Sequence, residues 1–190
     1  MPFSRAHLKD QLLALYKDVI LYPIVFEDQN IKWDSENVKP LVVPPCKENI
    51  CYYKLNQFIK TQKIIDEDYY WCMCDDDSLE ENVIPKIKEM VDDIIFISMK
   101  RGQFIPAGLP AQSQHPINIL YATPESVQVC HIGLEQMIVK GHIFKTLTYR
   151  TDIEYADGEM AVYLKEHYPI HYEPELFAKF NYFEPDRWVK

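Results

Sequence analysis

The 190-residue sequence predicts one α/β domain. Three observations carry that reading. Stretches with helical spacing of apolar residues alternate with short β-rich runs. One of those runs, "YYWCMC" (69–74), passes straight into three consecutive aspartates, Asp75–Asp77. No repeat, low-complexity tract or linker divides the chain. The length suits a single domain with a sizeable core. A hydrophobic content of 47%, with 13% aromatics, belongs to a folded chain and not to a disordered one.

The elements follow in order. In "AHLKDQLLALYK" (6–17), Leu8, Leu12, Leu15 and Tyr16 fall at i, i+4, i+7 and i+8, one helical face. "DVILYPIVFED" (18–28) is β-rich and ends in Glu27 and Asp28. Residues 32–49 mix proline, asparagine and charge, so they read as loop around a short Leu41–Val43 strand. "YYKLNQFIKTQ" (52–62) sets Leu55, Phe58, Ile59 and Gln62 in helical register, and a Tyr69–Cys74 strand follows. After the aspartates, Ser78-x-x-Glu81 has the form of a capping box. A helix starting near Pro85 and running through Met90 is the alternative, since a first-turn proline is tolerated. "DIIFISMK" (93–100) and "INILYA" (117–122) read as strands, with loop or edge structure between them. "GEMAVYLKEHY" (158–168) is a short helix opened by Asp157, and 169–183 close the chain as strand and irregular structure.

Composition excludes several classes. A formal charge of −9 makes nucleic acid an unlikely partner and disfavours anionic membrane surfaces. It permits a phosphorylated ligand that arrives with a divalent cation. No glycine precedes Gly102, which argues against a P-loop or a dinucleotide fingerprint. The start "MPFSRAHLKDQ" turns charged at once, unlike a signal peptide, and no apolar run is long enough for a membrane span. Five cysteines, an odd number, read as reduced thiols, and the expectation is a cytoplasmic protein.

The aspartates are the sharpest feature. In open α/β sheets, ligands bind beyond the carboxyl ends of strands. In an extended segment, Asp75 and Asp77 point the same way and can grip one hard cation, while Asp76 faces elsewhere. All-oxygen ligation suits Mg²⁺ or Mn²⁺. The plainer alternative is an acidic turn capping the next helix. Asp157 has the same duality, as an N-cap or as a functional acid. Cys46-x₄-Cys51 and Cys72-x-Cys74 supply the four thiols of a structural zinc site, though the second spacing is tight and buried cysteine is an ordinary small hydrophobe. Lys100, Arg101 and Arg5 read first as solvated charges, and Trp33 as core or rim packing.

A strand, then Asp-Asp-Asp, then "SLEENVIPKI" resembles the family-2-like nucleotide-sugar glycosyltransferases of the GT-A fold. "VFED", "YKLNQFI", "YRTDIEYADGEMAVYLKEH" and "FAKFNYFEPDRW" extend the resemblance loosely over most of the chain. It implies a GT-A-like three-layer α/β/α sandwich with a mixed central sheet. It further implies a metal-dependent, inverting transfer of a sugar from a nucleotide-diphosphate donor, UDP-sugar by default, to a saccharide or other hydroxyl acceptor. Under it, Asp75 and Asp77 hold Mn²⁺ or Mg²⁺ and His171 is a further metal ligand. Asp28, with Glu27 second, reads the base. Lys54, Asn56, Asp76, Arg187 and Trp188 lie on the donor side. Asp157 is the general base, with Glu159 in reserve. Two departures from the family stand out: only "MPFSR" precedes the first helix where a strand and loop are expected, and the acceptor-side acids are "ADGE". The alternatives are a non-catalytic nucleotide-sugar binder and a metal-dependent nucleotidyl- or phosphoryl-transfer enzyme.

Overall fold

The computed structural model of the chain describes residues 9–29, 31–47, 50–75, 77–101, 119–129 and 131–180. Its elements are α1 (Lys9–Leu15), β1 (Ile24–Phe26), β2 (Leu41–Val43), α2 (Ile50–Thr61), β3 (Tyr69–Trp71), β4 (Ser78–Leu79), α3 (Val83–Glu89), β5 (Ile94–Arg101), β6 (Ile119–Leu120), β7 (Met137–Lys140), the single turn α4 (Gly141–Phe144), α5 (Ala156–His167) and β8 (His171–Phe180). The fold is α/β, as the alternation of periodicities predicts.

Six strands form one mixed sheet in the order β3-β7-β5-β8-β4, with β6 added against β5. β5 and β8 are parallel, whereas β7 runs antiparallel to both β3 and β5. β1 and β2 make a separate parallel pair. The pleat sends alternate residues of β5 to opposite faces. Ile94 and Phe96 join one core with Leu55 and Phe58 of α2 and Met160 and Leu164 of α5. Ile95 and Ile97 join the other, with Leu12 of α1 and Val83 and Ile87 of α3. Helices therefore cover both faces of the sheet. Ile94, Ile95, Phe96 and Ile97 are all fully buried, which explains why β5 reads as a continuous apolar run instead of an alternating one.

Several expectations need correction. Ser78 and Leu79 do not cap a helix; they pair with Lys179 and Ala178 as an edge strand. α3 begins at Val83, so Pro85 sits inside its first turn, where its missing N–H costs no helical bond. The Tyr69–Cys74 strand stops at Trp71. β7 and α4 carry no prediction in the sequence reading. The tail is one long strand, β8, interrupted by a bulge where Glu173 and Phe177 oppose successive residues Ile97 and Ser98. The Ser98 hydroxyl bridges that irregularity, donating to the Pro174 carbonyl at 2.8 Å and accepting from the Ala122 N–H at 2.9 Å. Among the described residues, no helix is long and apolar enough to cross a membrane.

Candidate functional site at the end of β3

β3 leaves the sheet into a turn. The Asp77 N–H donates to the Cys74 carbonyl at 3.3 Å, and the Asp77 Oδ2 accepts the Cys74 N–H at 3.2 Å. The segment is thus not extended, and the same-side argument for Asp75 and Asp77 does not apply. What unites them is burial: Asp75 is 2% exposed and Asp77 0%. Two carboxylates drawn into the interior at a strand end are not a solvated acidic cap. Asp76 lies outside the described residues.

Around this turn the chain collects further polar groups. The Cys74 thiol shares a hydrogen bond with Cys51, in the first turn of α2, and that bond together with burial holds it well above the ordinary thiol range. Glu135 and Asp77 act on the same thiol. Burial also pushes Cys72 up to about 12. These cysteines are free thiols, and among the described residues no three His, Cys, Asp or Glu side chains are placed to hold a metal, which leaves the zinc-module alternative without a ligand set there.

Lys54, one α-helical turn beyond Cys51, is 1% exposed. Its ammonium lies 4.3 Å over the Phe26 ring and 3.4 Å from Gln29 Oε1. Burial lowers it to about 8, opposed by Cys51, Cys46 and Asp28. Asp28 thus acts on the same buried lysine as Cys51, the partner of Cys74. At the other end of β1, Tyr22 lies within electrostatic reach of Asp68 and Tyr70. Asp28 and Glu27, at the end of β1, are exposed.

Asp157 enters from α5. It sits in the first helical turn, as expected, but it does not cap with its side chain from outside: α5 begins one residue earlier, at Ala156. Its Oδ1 accepts the Gly158 N–H at 2.8 Å, and its own N–H donates to the Tyr52 hydroxyl at 3.4 Å. Tyr52 in turn donates to the Glu154 carbonyl at 2.9 Å and stacks on Tyr149, centroids 6.0 Å apart. Burial raises the Asp157 carboxyl above its usual range, against backbone hydrogen bonds from Gly158 and Leu134 that pull it down. Leu134 is the neighbour of Glu135, and Tyr149 feels Cys72, Asp157 and Cys51 together. The buried tyrosines and thiols thus connect Asp157 to the end of β3.

No protein-family model matches the chain, and no curated protein matches it.

The remaining expected residues divide cleanly. Glu159 lies on the outer side of α5, with Arg150 Nη1 at 3.4 Å, while Arg150 grips Asp152 with two bonds of 3.0 and 2.7 Å. Asn56 faces the interior, not a ligand: its amide donates to the Tyr149 carbonyl at 2.7 Å and accepts the Tyr149 N–H at 2.8 Å. His171 is not brought to the aspartates. It opens β8, opposite Ile95 of β5, whereas Ser78, next to Asp77, pairs with Lys179 eight residues further along β8, roughly 25 Å away. Its ring nitrogens face Asp92 at 3.3 Å and Glu173 at 3.8 Å. Lys100 is engaged by Glu80 and lies 4.2 Å over the Phe177 ring. Arg5, Arg187 and Trp188 lie outside the described residues. Tyr52, Tyr149 and Glu135 carried no expectation of belonging to a site, and Cys51 and Cys74 were read only as zinc thiols or small hydrophobes. Their partners come from distant segments, so no local spacing could have marked them.

Proposed function

We propose that the chain is a metal-dependent glycosyltransferase that moves a sugar, with inversion, from a nucleotide-diphosphate donor to a hydroxyl acceptor. The observation that supports this reading is the burial of Asp75 and Asp77, two carboxylates drawn into the interior just beyond β3. As hard oxygen donors, two buried carboxylates suit Mg²⁺ or Mn²⁺, which commonly complete their shells with substrate phosphates. When bound, the cation supplies electrostatic stabilisation of the departing diphosphate. Asp75 and Asp77 would hold it. Asp28 and Lys54 would face the nucleotide side. Asp157 would take the acceptor hydroxyl proton as the acceptor oxygen bonds to the anomeric carbon and the bond to the diphosphate breaks. A carboxyl raised by burial is suited to keeping that proton. UDP is the default nucleotide.

The test is calorimetric titration of UDP and GDP, with and without Mn²⁺, on the wild type, Asp77→Asn and Asp157→Asn, each checked for folding by circular dichroism. The reading expects Mn²⁺-dependent binding of one nucleotide, lost in Asp77→Asn and kept in Asp157→Asn. It also expects sugar transfer to vanish in Asp157→Asn. A folded wild type that binds neither nucleotide overturns it. Binding without any turnover reduces it to a nucleotide-sugar binding protein.

A further inference from the structure

Two thiols from separate segments meet at the turn beyond β3. Cys51 stands at the start of α2, and Cys74 lies just past the end of β3. Their side chains are hydrogen-bonded to each other. Cys51 packs against the core that holds Tyr52, Leu55 and Cys72, and Cys72 is two residues before Cys74. Cys51 and Cys74 are both partly exposed, whereas Cys72 is buried.

Hydrogen-bonded thiols stand side by side, which is what a disulfide requires of its two cysteines. Partial exposure of both residues admits a small oxidant. Cys51 has the Lys54 ammonium one helical turn further along α2 and within electrostatic reach, the setting of an attacking sulfur. Cys74 is also half of the turn that carries the buried acids. Its N–H donates to Asp77 Oδ2 at 3.2 Å, and its carbonyl accepts the Asp77 N–H at 3.3 Å. A covalent link between the two sulfurs would therefore fix the start of α2 to that turn.

We propose that Cys51 and Cys74 are a redox-sensitive pair that a hydroperoxide closes to a disulfide, locking α2 to the turn that holds Asp75 and Asp77. With hydrogen peroxide, the Cys51 sulfur attacks one oxygen and the O–O bond breaks. The departing hydroxide takes the Cys51 proton and leaves as water, and Cys51 becomes a sulfenic acid. The Cys74 sulfur then attacks the Cys51 sulfur and the S–O bond breaks. The hydroxyl leaves as a second water with the Cys74 proton. Two thiols lose two electrons and two protons, and the peroxide takes up both. A small dithiol reverses the change by exchange. The pair is independent of the proposed transfer chemistry.

The test treats the full, reduced chain with hydrogen peroxide in slight excess and maps the products by non-reducing digestion and mass spectrometry. The expected product has lost two hydrogens. It joins Cys51 to Cys74 in preference to any other pair by about tenfold or more, a preference that is lost when the oxidation is run in urea. Cys51→Ser and Cys74→Ser should each abolish that link, and Cys46→Ser should leave it. The oxidised chain should melt about 5 °C or more above the reduced one, and dithiothreitol should bring it back. The wild-type map decides even where a serine variant fails to fold. No disulfide, a link that prefers any other cysteine, equal selectivity in urea, or a Cys51–Cys74 link that leaves the melting temperature unchanged each overturns the proposal.

Discussion

Asn56 shows how a polar residue that reads as a ligand contact can be structural. Its side chain satisfies both backbone groups of Tyr149, tying α2 to the segment before α5. Removing it strands two partly buried backbone groups, so Asn56→Ala should cost about 2–3 kcal/mol, measured as a lower urea midpoint at unchanged slope. A change within about 0.5 kcal/mol would mean that water replaces the amide. Lys54 carries a pH signature. Its ordinary value of 10.5 falls to about 8 in the fold. Between those values the unfolded chain holds a proton that the folded chain lacks, so stability from this group rises with pH across that window. Below it, both states are charged and the whole cost of burying the ammonium is present. Urea titrations at a series of pH values should therefore show wild type gaining on Lys54→Met from about pH 8 to 10.5. A flat difference would mean that the lysine is not desolvated. The candidate residues were legible in part: Asp75, Asp77, Asp28 and Asp157 stand just beyond strands or at a helix start that periodicity exposes, while Lys54 came only from the resemblance. His171 was not, because its separation from the aspartates is set by which end of β8 pairs with Ser78.

At the level of elements, the join of β7 and α4 depends on one glycine. A Cβ at Gly141 would stand 1.9 Å from the Ile65 carbonyl oxygen, which is backbone and has little room to yield. Gly141→Ala should destabilise by about 3 kcal/mol through overpacking, read as a drop in melting temperature. If the variant melts with the wild type, residues 64–68 have room to move. The Gly141 N–H also continues the β3–β7 ladder through Asp68, so the loss should be felt in β3. Ser78 and Leu79 give the opposite lesson about local signals. Their spacing to Glu81 satisfies a capping rule, yet pairing with β8 prevails because Leu79 and Ala178 are buried together against α3. Local propensity yields to tertiary burial where the two compete.

Across the whole molecule, stability is uneven. β5 and β8 share a long register in the centre of the larger sheet, whereas β1 and β2 pair over three residues each and lie apart from it. The central strands should open only on global unfolding, and the small pair more readily. Native-state hydrogen exchange should find the Ile95 and Ile97 amides slower than those of Val25 and Val42 by roughly tenfold or more. Equal protection would mean that the two sheets already unfold as one unit.

The sequence by itself determined the class of the fold and the buried strand that anchors it. Periods of 2 and 3.6 are local properties, and an apolar run such as Ile94–Met99 needs cover on both faces wherever it is placed. It also determined that charge accumulates where β3 ends. Tertiary structure alone decided that Asn56 ties α2 to Tyr149 and that Ser78–Leu79 is a strand. Those outcomes depend on strand order and on contacts between segments about a hundred residues apart, such as Tyr52 with Asp157. Chain-local spacing carries no record of such contacts, because the free energy that selects them arises only when the layers close.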